Sequence, residues 1–122
     1  MIKLVFAINR RPDVEAEKFH RYWLEEHGPL VRSVADVLHI RRYVQSHTID
    51  SPANAVLQAS RQTGGPYDGV AELWWDSLEA LGAATASPEG QAAAATLLED
   101  EARFIDFGSA SIFLTEEHEI IG

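Results

Sequence analysis

Short β-rich runs alternate along the chain with longer stretches of helical period. Ile2 to Asn9 is apolar, short and bounded by Arg10-Arg11-Pro12, which predicts a first strand. Its faces, Ile2, Leu4, Phe6, Ile8 and Lys3, Val5, Ala7, Asn9, are both largely apolar, so the sheet is expected to be covered on both sides. Pro12-Asp13 opens a helix, with Asp13 as its N-cap and Glu15 and Glu17 at its positive end. Ala16, Phe19, Trp23 and His27 recur on one side of it. Gly28-Pro29 is expected to end or kink the helix, with a further turn or two over Leu30 to Asp36.

Alternation returns from Leu38 to Ile49, which predicts the second strand. Leu38, Ile40 and Val44 fall on one face, with Arg42 breaking it; His39, Arg41, Tyr43, Gln45 and His47 fall on the other. Residues 50 to 66 are too long for a bare hairpin loop. Ser51-Pro52 leads there into a small helix over Ala53 to Arg61, a candidate lid hinged at Gly64-Gly65-Pro66. Asp68 to Trp75 is the third strand. Asp76, three residues before Glu79, starts another helix, and Ser87-Pro88-Glu89 restarts it through an Ala-rich stretch to about Arg103. Ile105 to Thr115 is the fourth strand, and an acidic tail, Glu116 to Glu119, follows. The order β-α-β-β-α-β over residues 1–122 is that of a single α+β domain, the ferredoxin-like four-stranded antiparallel sheet with its helices on one face. The face opposite the helices is expected to carry Trp74, Tyr43, Val5, Ala7 and Phe113, too apolar to meet water. A second copy would cover it symmetrically, which predicts a homodimer.

Composition narrows the functional classes. Nineteen Asp and Glu against ten Lys and Arg give a formal net charge of -9, which argues against nucleic-acid and polybasic membrane-surface partners. The chain has no cysteine, which removes disulfides, thiolate metal sites and cysteine nucleophiles. No apolar run is long enough to span a bilayer, and Lys3 interrupts the first one, unlike a signal peptide. A cytoplasmic domain is the expectation. Metal binding is not expected either: His20 and His27 lie about 10 Å apart along a helix. No Gly-rich phosphate loop follows a strand, so no nucleotide or flavin cofactor is expected.

The run Phe19-His20-Arg21-Tyr22-Trp23-Leu24-Glu25-Glu26-His27-Gly28-Pro29-Leu30-Val31 resembles the helix motif of the EthD family. The resemblance continues through Arg42 to Gln45, Tyr67 to Trp74, Ser87 to Gly90, Phe104 to Asp106 and Glu116 to His118. It implies the dimeric α+β barrel fold. Members of that family were first associated with ethyl tert-butyl ether degradation. Relatives on the fold include polyketide dehydratases and cyclases, quinone-forming monooxygenases and lactone isomerases. Haem-degrading relatives use an Asn on the first strand, a Trp on the third and a His on the second helix. Asn9 and Trp74 match two of these, but Ser77 to Phe104 contains no His.

Two catalytic candidates follow. His27 titrates near neutrality and sits on the sheet-facing side of its helix, as suits a general acid/base; the plainer reading is a cation at a helix C-terminus. Glu72, between apolar neighbours, is either an acid/base of raised pKa or half of an internal ion pair with Arg41 or a His. Tyr43, Gln45, His47 and Trp74 are candidates for binding the substrate, and His118 for completing a partner's cleft. Asp100 and the Glu99 to Glu101 cluster are read as surface charge. These residues support a cofactor-independent enzyme acting on an aromatic, quinone or polyketide-like carbonyl compound. The chemistry would be dehydration, cyclisation, isomerisation or oxygenation. The alternative is a non-catalytic protein that binds or delivers a small apolar ligand. A titratable group within about 3 Å of a reacting atom separates the two.

Overall fold

In a computed structural model describing residues 1–122, the strands are β1 (Ile2–Ile8), β2 (Arg42–His47), β3 (Gly69–Trp75) and β4 (Ser111–Thr115). They form one antiparallel sheet in the order β2-β3-β1-β4, the ferredoxin-like arrangement. The register decides which side chains meet. Leu4 lies opposite Leu73 and Leu114, and Tyr43 opposite Leu73, so these share one face. Val5 lies opposite Glu72 and Phe113, and Arg42 opposite Trp74, so these share the other.

The expected company of Tyr43 and Trp74 is thereby corrected. Strand neighbours alternate faces, so Tyr43, Gln45 and His47 point towards the helices, while Glu72 and Trp74 point to the open side. β2 is also shorter than its alternation suggests. The chain turns through residues 36–39, with His39 in a left-handed conformation (φ 58°), and pairs only from Arg42. β4 likewise starts at Ser111, after a 3₁₀ turn over Phe107–Ser109.

The helices are α1 (Ala16–Tyr22), α2 (Gly28–Val34), α3 (Pro52–Arg61), α4 (Leu78–Ala86) and α5 (Pro88–Glu101). Ser51 and Ser87 cap as the sequence suggests, accepting from the N–H groups of Ala53 and Gly90. Two expected caps move. Asp13 instead pairs with Arg11, and α1 begins after Glu15. Ser77 rather than Asp76 caps α4, because the Ser77 hydroxyl accepts from the Ala80 N–H. α3 forms where a helix is expected but buries no residue, leaving Val56 and Leu57 exposed. None of its residues lines the interior cavity described below, so it is no lid over it. No helix is long and apolar enough to cross a membrane.

The core lies between helices and sheet in two adjoining groups. Ile8, Phe19, Trp23, Ala71, Phe104 and Ile105 form one; Val31, Leu38, Ile40, Trp75, Ala93 and Leu97 form the other. Trp23, only 1% exposed, lies directly over Gly69 at the start of β3. A Cβ there would stand 2.7 Å from the indole Cη2 and 2.8 Å from the Ser46 carbonyl oxygen, so the missing side chain is what admits the ring. Gly69→Ala should therefore lower stability by roughly 1–3 kcal/mol. Gly82→Ala, inside α4 with open space around it, should raise it by roughly 1 kcal/mol. Urea unfolding of the two variants checks both signs.

Candidate active site between the helices and the sheet

Gly28-Pro29 does not break the first helical segment. The chain stays helical from Ala16 to Val34 by widening into a π turn over Trp23–His27, where the Gly28 N–H donates to the Trp23 carbonyl. Pro29 has no N–H to give the preceding turn, and a widened turn accommodates that loss. His27 is consequently not a helix-end cation. It lies mid-rod, 4% exposed, with its ring against the edge of Phe104.

Its partners come from the end of α5. The Nδ1–H of His27 donates to Asp100 Oδ2 at 2.8 Å, which leaves Nε2 bare, 3.7 Å from Glu101 Oε2. The Tyr22 hydroxyl donates to the other Asp100 oxygen, and Arg103 lies 3.8 Å from it. That bond to Asp100, with burial second, pushes the Tyr22 phenol up to about 12, so Tyr22 stays protonated. Burial pushes the His27 imidazole below its ordinary range, opposed by Asp100. Burial, joined by the charge of Asp100, pushes Glu101 up to about 7. Burial thus favours the uncharged form of both groups, a bare imidazole nitrogen facing a carboxyl of raised proton affinity.

Neither Asp100 nor Glu101 is surface charge. Their helix carried the signal: Ala93, Leu97 and Glu101 recur every four residues, which places Glu101 in the buried stripe of α5. Tyr22 also went unnoticed, although it adjoins the Trp23 that faces the core.

His27, Glu101 and Tyr43 line a small cavity of about 40 Å³ whose other walls are apolar, among them Trp23, Leu73 and Leu97. Such a volume holds a water or two. Beyond Leu73, Leu97 and Glu101, which belong to both spaces, lies an open apolar groove of about 270 Å³ bounded by Ile40, Trp75 and Leu81. Leu97 and Glu101 are thus the partition between a small apolar-walled interior and an entrance large enough for one aromatic ring.

The remaining candidates divide between the two sides of the sheet. Gln45 and His47 belong to the helix side. The Gln45 amide donates to the Tyr43 hydroxyl and the Trp23 carbonyl at 2.8 Å each, and His47 bonds to both Gln45 and His20 at 2.8 Å. Glu72 and Trp74 lie on the open side, away from His27. Glu72 is in an ion pair, but with Lys3 at 2.7 Å rather than with Arg41 or a His. Trp74 is covered rather than presented: Arg42 stacks 4.6 Å from its ring centre and Glu117 accepts its indole proton. His118 lies in the exposed tail, 3.9 Å from Glu116. No group of three His, Asp or Glu side chains is placed to hold a metal ion.

The proton on Glu101 has a measurable sign. The folded chain holds it up to about pH 7, the unfolded chain only to about 4.5, so folding binds a proton between those values. Stability therefore falls as pH rises through that window, and above it the buried carboxylate costs on the order of 2 kcal/mol. Glu101→Gln, which cannot ionise, should be more stable than wild type at pH 8 and lose that advantage by pH 4. Urea denaturation at the two pH values measures it.

The fold and part of the sequence have known counterparts. The chain resembles an ethyl tert-butyl ether degradation (EthD) family protein from Bacillus halodurans, with 20% identity and a TM-score of 0.63 over 97% of this chain and 99% of that one. It also resembles a dimeric ferredoxin-like protein of unknown function from Bacteroides fragilis, with 15% identity and a TM-score of 0.59 over 95% of each chain. A dimeric ferredoxin-like protein from Thermobifida fusca, 14% identical, aligns over 93% of this chain and 88% of that one with a TM-score of 0.58. No curated protein matches in sequence. At these identities the structures establish the fold alone, but the EthD domain pattern itself matches residues 11–108. With that match over most of its length, the chain belongs to the EthD family.

Proposed function

We propose that this protein is a single-domain enzyme that moves a proton on a small, largely apolar carbonyl compound of the aromatic, quinone or polyketide type, using only its own side chains. The observation that carries the reading is His27, buried against an apolar cavity, bonded through Nδ1 to Asp100 and facing Glu101 through a bare Nε2. In the reaction His27 Nε2 accepts a proton from the carbon beside the carbonyl. Asp100 orients the ring and stabilises the imidazolium that forms. Glu101, whose proton affinity burial raises to about 7, supplies a proton to the oxygen that gains charge. That sequence suits dehydration, cyclisation or isomerisation. Glu72 has no part in it, since the sheet separates Glu72 from His27.

Acetophenone is a suitable probe: its ring fits the groove of about 270 Å³, and its carbonyl and exchangeable methyl protons reach the small cavity once Leu97 and Glu101 part. In D₂O the wild type should accelerate deuterium incorporation into that methyl group on the order of a hundredfold over buffer, followed by NMR. His27→Gln should return it to the buffer rate while circular dichroism shows an intact fold. Ketone that binds without accelerated exchange would instead identify a binding or delivery protein.

The protein works in this reading as a homodimer, in keeping with the dimeric neighbours. Strand β4 supports it: Ile112, Phe113 and Leu114 point to both faces and are 60%, 52% and 46% exposed. An apolar edge strand exposed on both faces needs a cover, and a second copy supplies one. Sedimentation equilibrium should give twice the chain mass, and Phe113→Asp should shift it towards the monomer.

A further inference from the structure

The hydrogen bonds beside the cavity all run one way. Gln45 Nε2 lies 2.8 Å from the Trp23 carbonyl, which only accepts, so the orientation of this amide is fixed. The second proton of that nitrogen goes to the Tyr43 oxygen at 2.8 Å. The amide oxygen, Oε1, then accepts from His47 Nε2 at 2.8 Å, so the neutral His47 ring carries its proton on Nε2 and leaves Nδ1 bare. His20 Nδ1, 2.8 Å away, donates to it. The bonds run in series: His20 gives to His47, His47 to Gln45 and Gln45 to Tyr43.

At the inner end the Tyr43 hydroxyl receives a proton but has no acceptor in the protein for its own. The Trp23 indole, a donor only, also approaches it, so that side offers no outlet. Tyr43 borders two spaces: an outer groove that it lines with Gln45 and Gly28, and the small cavity that it lines with Trp23 and His27. The hydroxyl proton, directed away from its amide donor, is left for whatever fills these spaces, and the cavity is the more apolar of the two. Burial keeps the phenol protonated against the pull of both donors.

We propose that Tyr43 is the ligand-orienting donor of the cavity, held in that role by the positioning residues Gln45 and His47, so that the site selects compounds presenting a bare oxygen acceptor. This rests on the reading of the cavity as a ligand site and adds what the ligand must carry at the end facing β2. A carbonyl oxygen satisfies it; a methylene of the same shape does not, and leaves a buried hydroxyl unpaired.

Acetophenone and α-methylstyrene, which differ by C=O against C=CH₂, are titrated against the full chain by tryptophan fluorescence. Wild type should bind the ketone about five- to tenfold more tightly. Tyr43→Phe should bring the ratio near one, and Gln45→Met should lower it, because the hydroxyl then loses the donor that directs its proton. His47→Phe, which keeps the stack on Trp23, should lower the ratio. His47→Gln, which restores an N–H at the position of Nε2, should recover it. A role in packing alone would change both affinities together and leave the ratio untouched. Equal binding of the two probes by wild type, or an unchanged ratio in both Tyr43→Phe and His47→Phe, would overturn the assignment while the cavity reading stands. Binding of neither probe would overturn the cavity reading and this inference with it. Should Tyr43→Phe fail to fold, the His47→Phe and His47→Gln pair decides alone.

Discussion

The bond between His27 and Asp100 is the contact on which the site depends. It ties the rod formed by α1, the π turn and α2 to the end of α5, across a gap otherwise filled by aromatic and aliphatic side chains. A lone histidine here would be neutral and idle, and a lone carboxylate beside Phe104 would pay heavily for lost water. Together, and with the Tyr22 hydroxyl on the second carboxylate oxygen, they satisfy each other. Removing one partner of such a pair leaves the other exposed to the apolar interior, at a cost of about 3–5 kcal/mol when a charge is stranded. The π turn belongs to the same constraint. It sets His27 in the buried stripe begun by Phe19 and Trp23, within reach of α5.

The sheet then sorts chemistry by side. On the helix side lie the unpaired imidazole nitrogen, the carboxyl of raised pKa and the directed chain ending at Tyr43. On the open side, the charged groups are already matched. Lys3 holds Glu72, while Arg42 and Glu117 close over Trp74. Matched, half-exposed ion pairs contribute little energy but leave no group free to react. The open side is thereby suited to contact, the helix side to chemistry.

This division was only half legible in the sequence. The four strands, the order of elements and the Ser51 and Ser87 caps all follow from short-range pattern, because turn and cap chemistry is local. His27 was legible too, as the polar member of an apolar helical stripe. The pairing of Tyr43 with Trp74 was not, since which face of β2 joins which face of β3 depends on register, a long-range property. Arg42 misled in particular: a charge between Leu38, Ile40 and Val44 looks like a defect until Trp74 is found beneath it. Asp100 and Glu101 were hidden for another reason. Three acidic residues in a row read as a solvated helix end, and only the spacing from Ala93 and Leu97 reveals that the last of them turns inward.

Access and acidity are coupled by the position of Glu101. It is both part of the partition between groove and cavity and the carboxyl whose proton affinity is raised by that partition being closed. Opening the partition admits water, and water restores an exposed carboxyl towards its ordinary range. An apolar ligand filling the gap would exclude that water again and restore the raised affinity. Leu97, the other side chain of the partition, carries no charge and only fills space. The carboxyl thus holds its proton more firmly when water is kept from it and releases it more readily when it stands open to solvent.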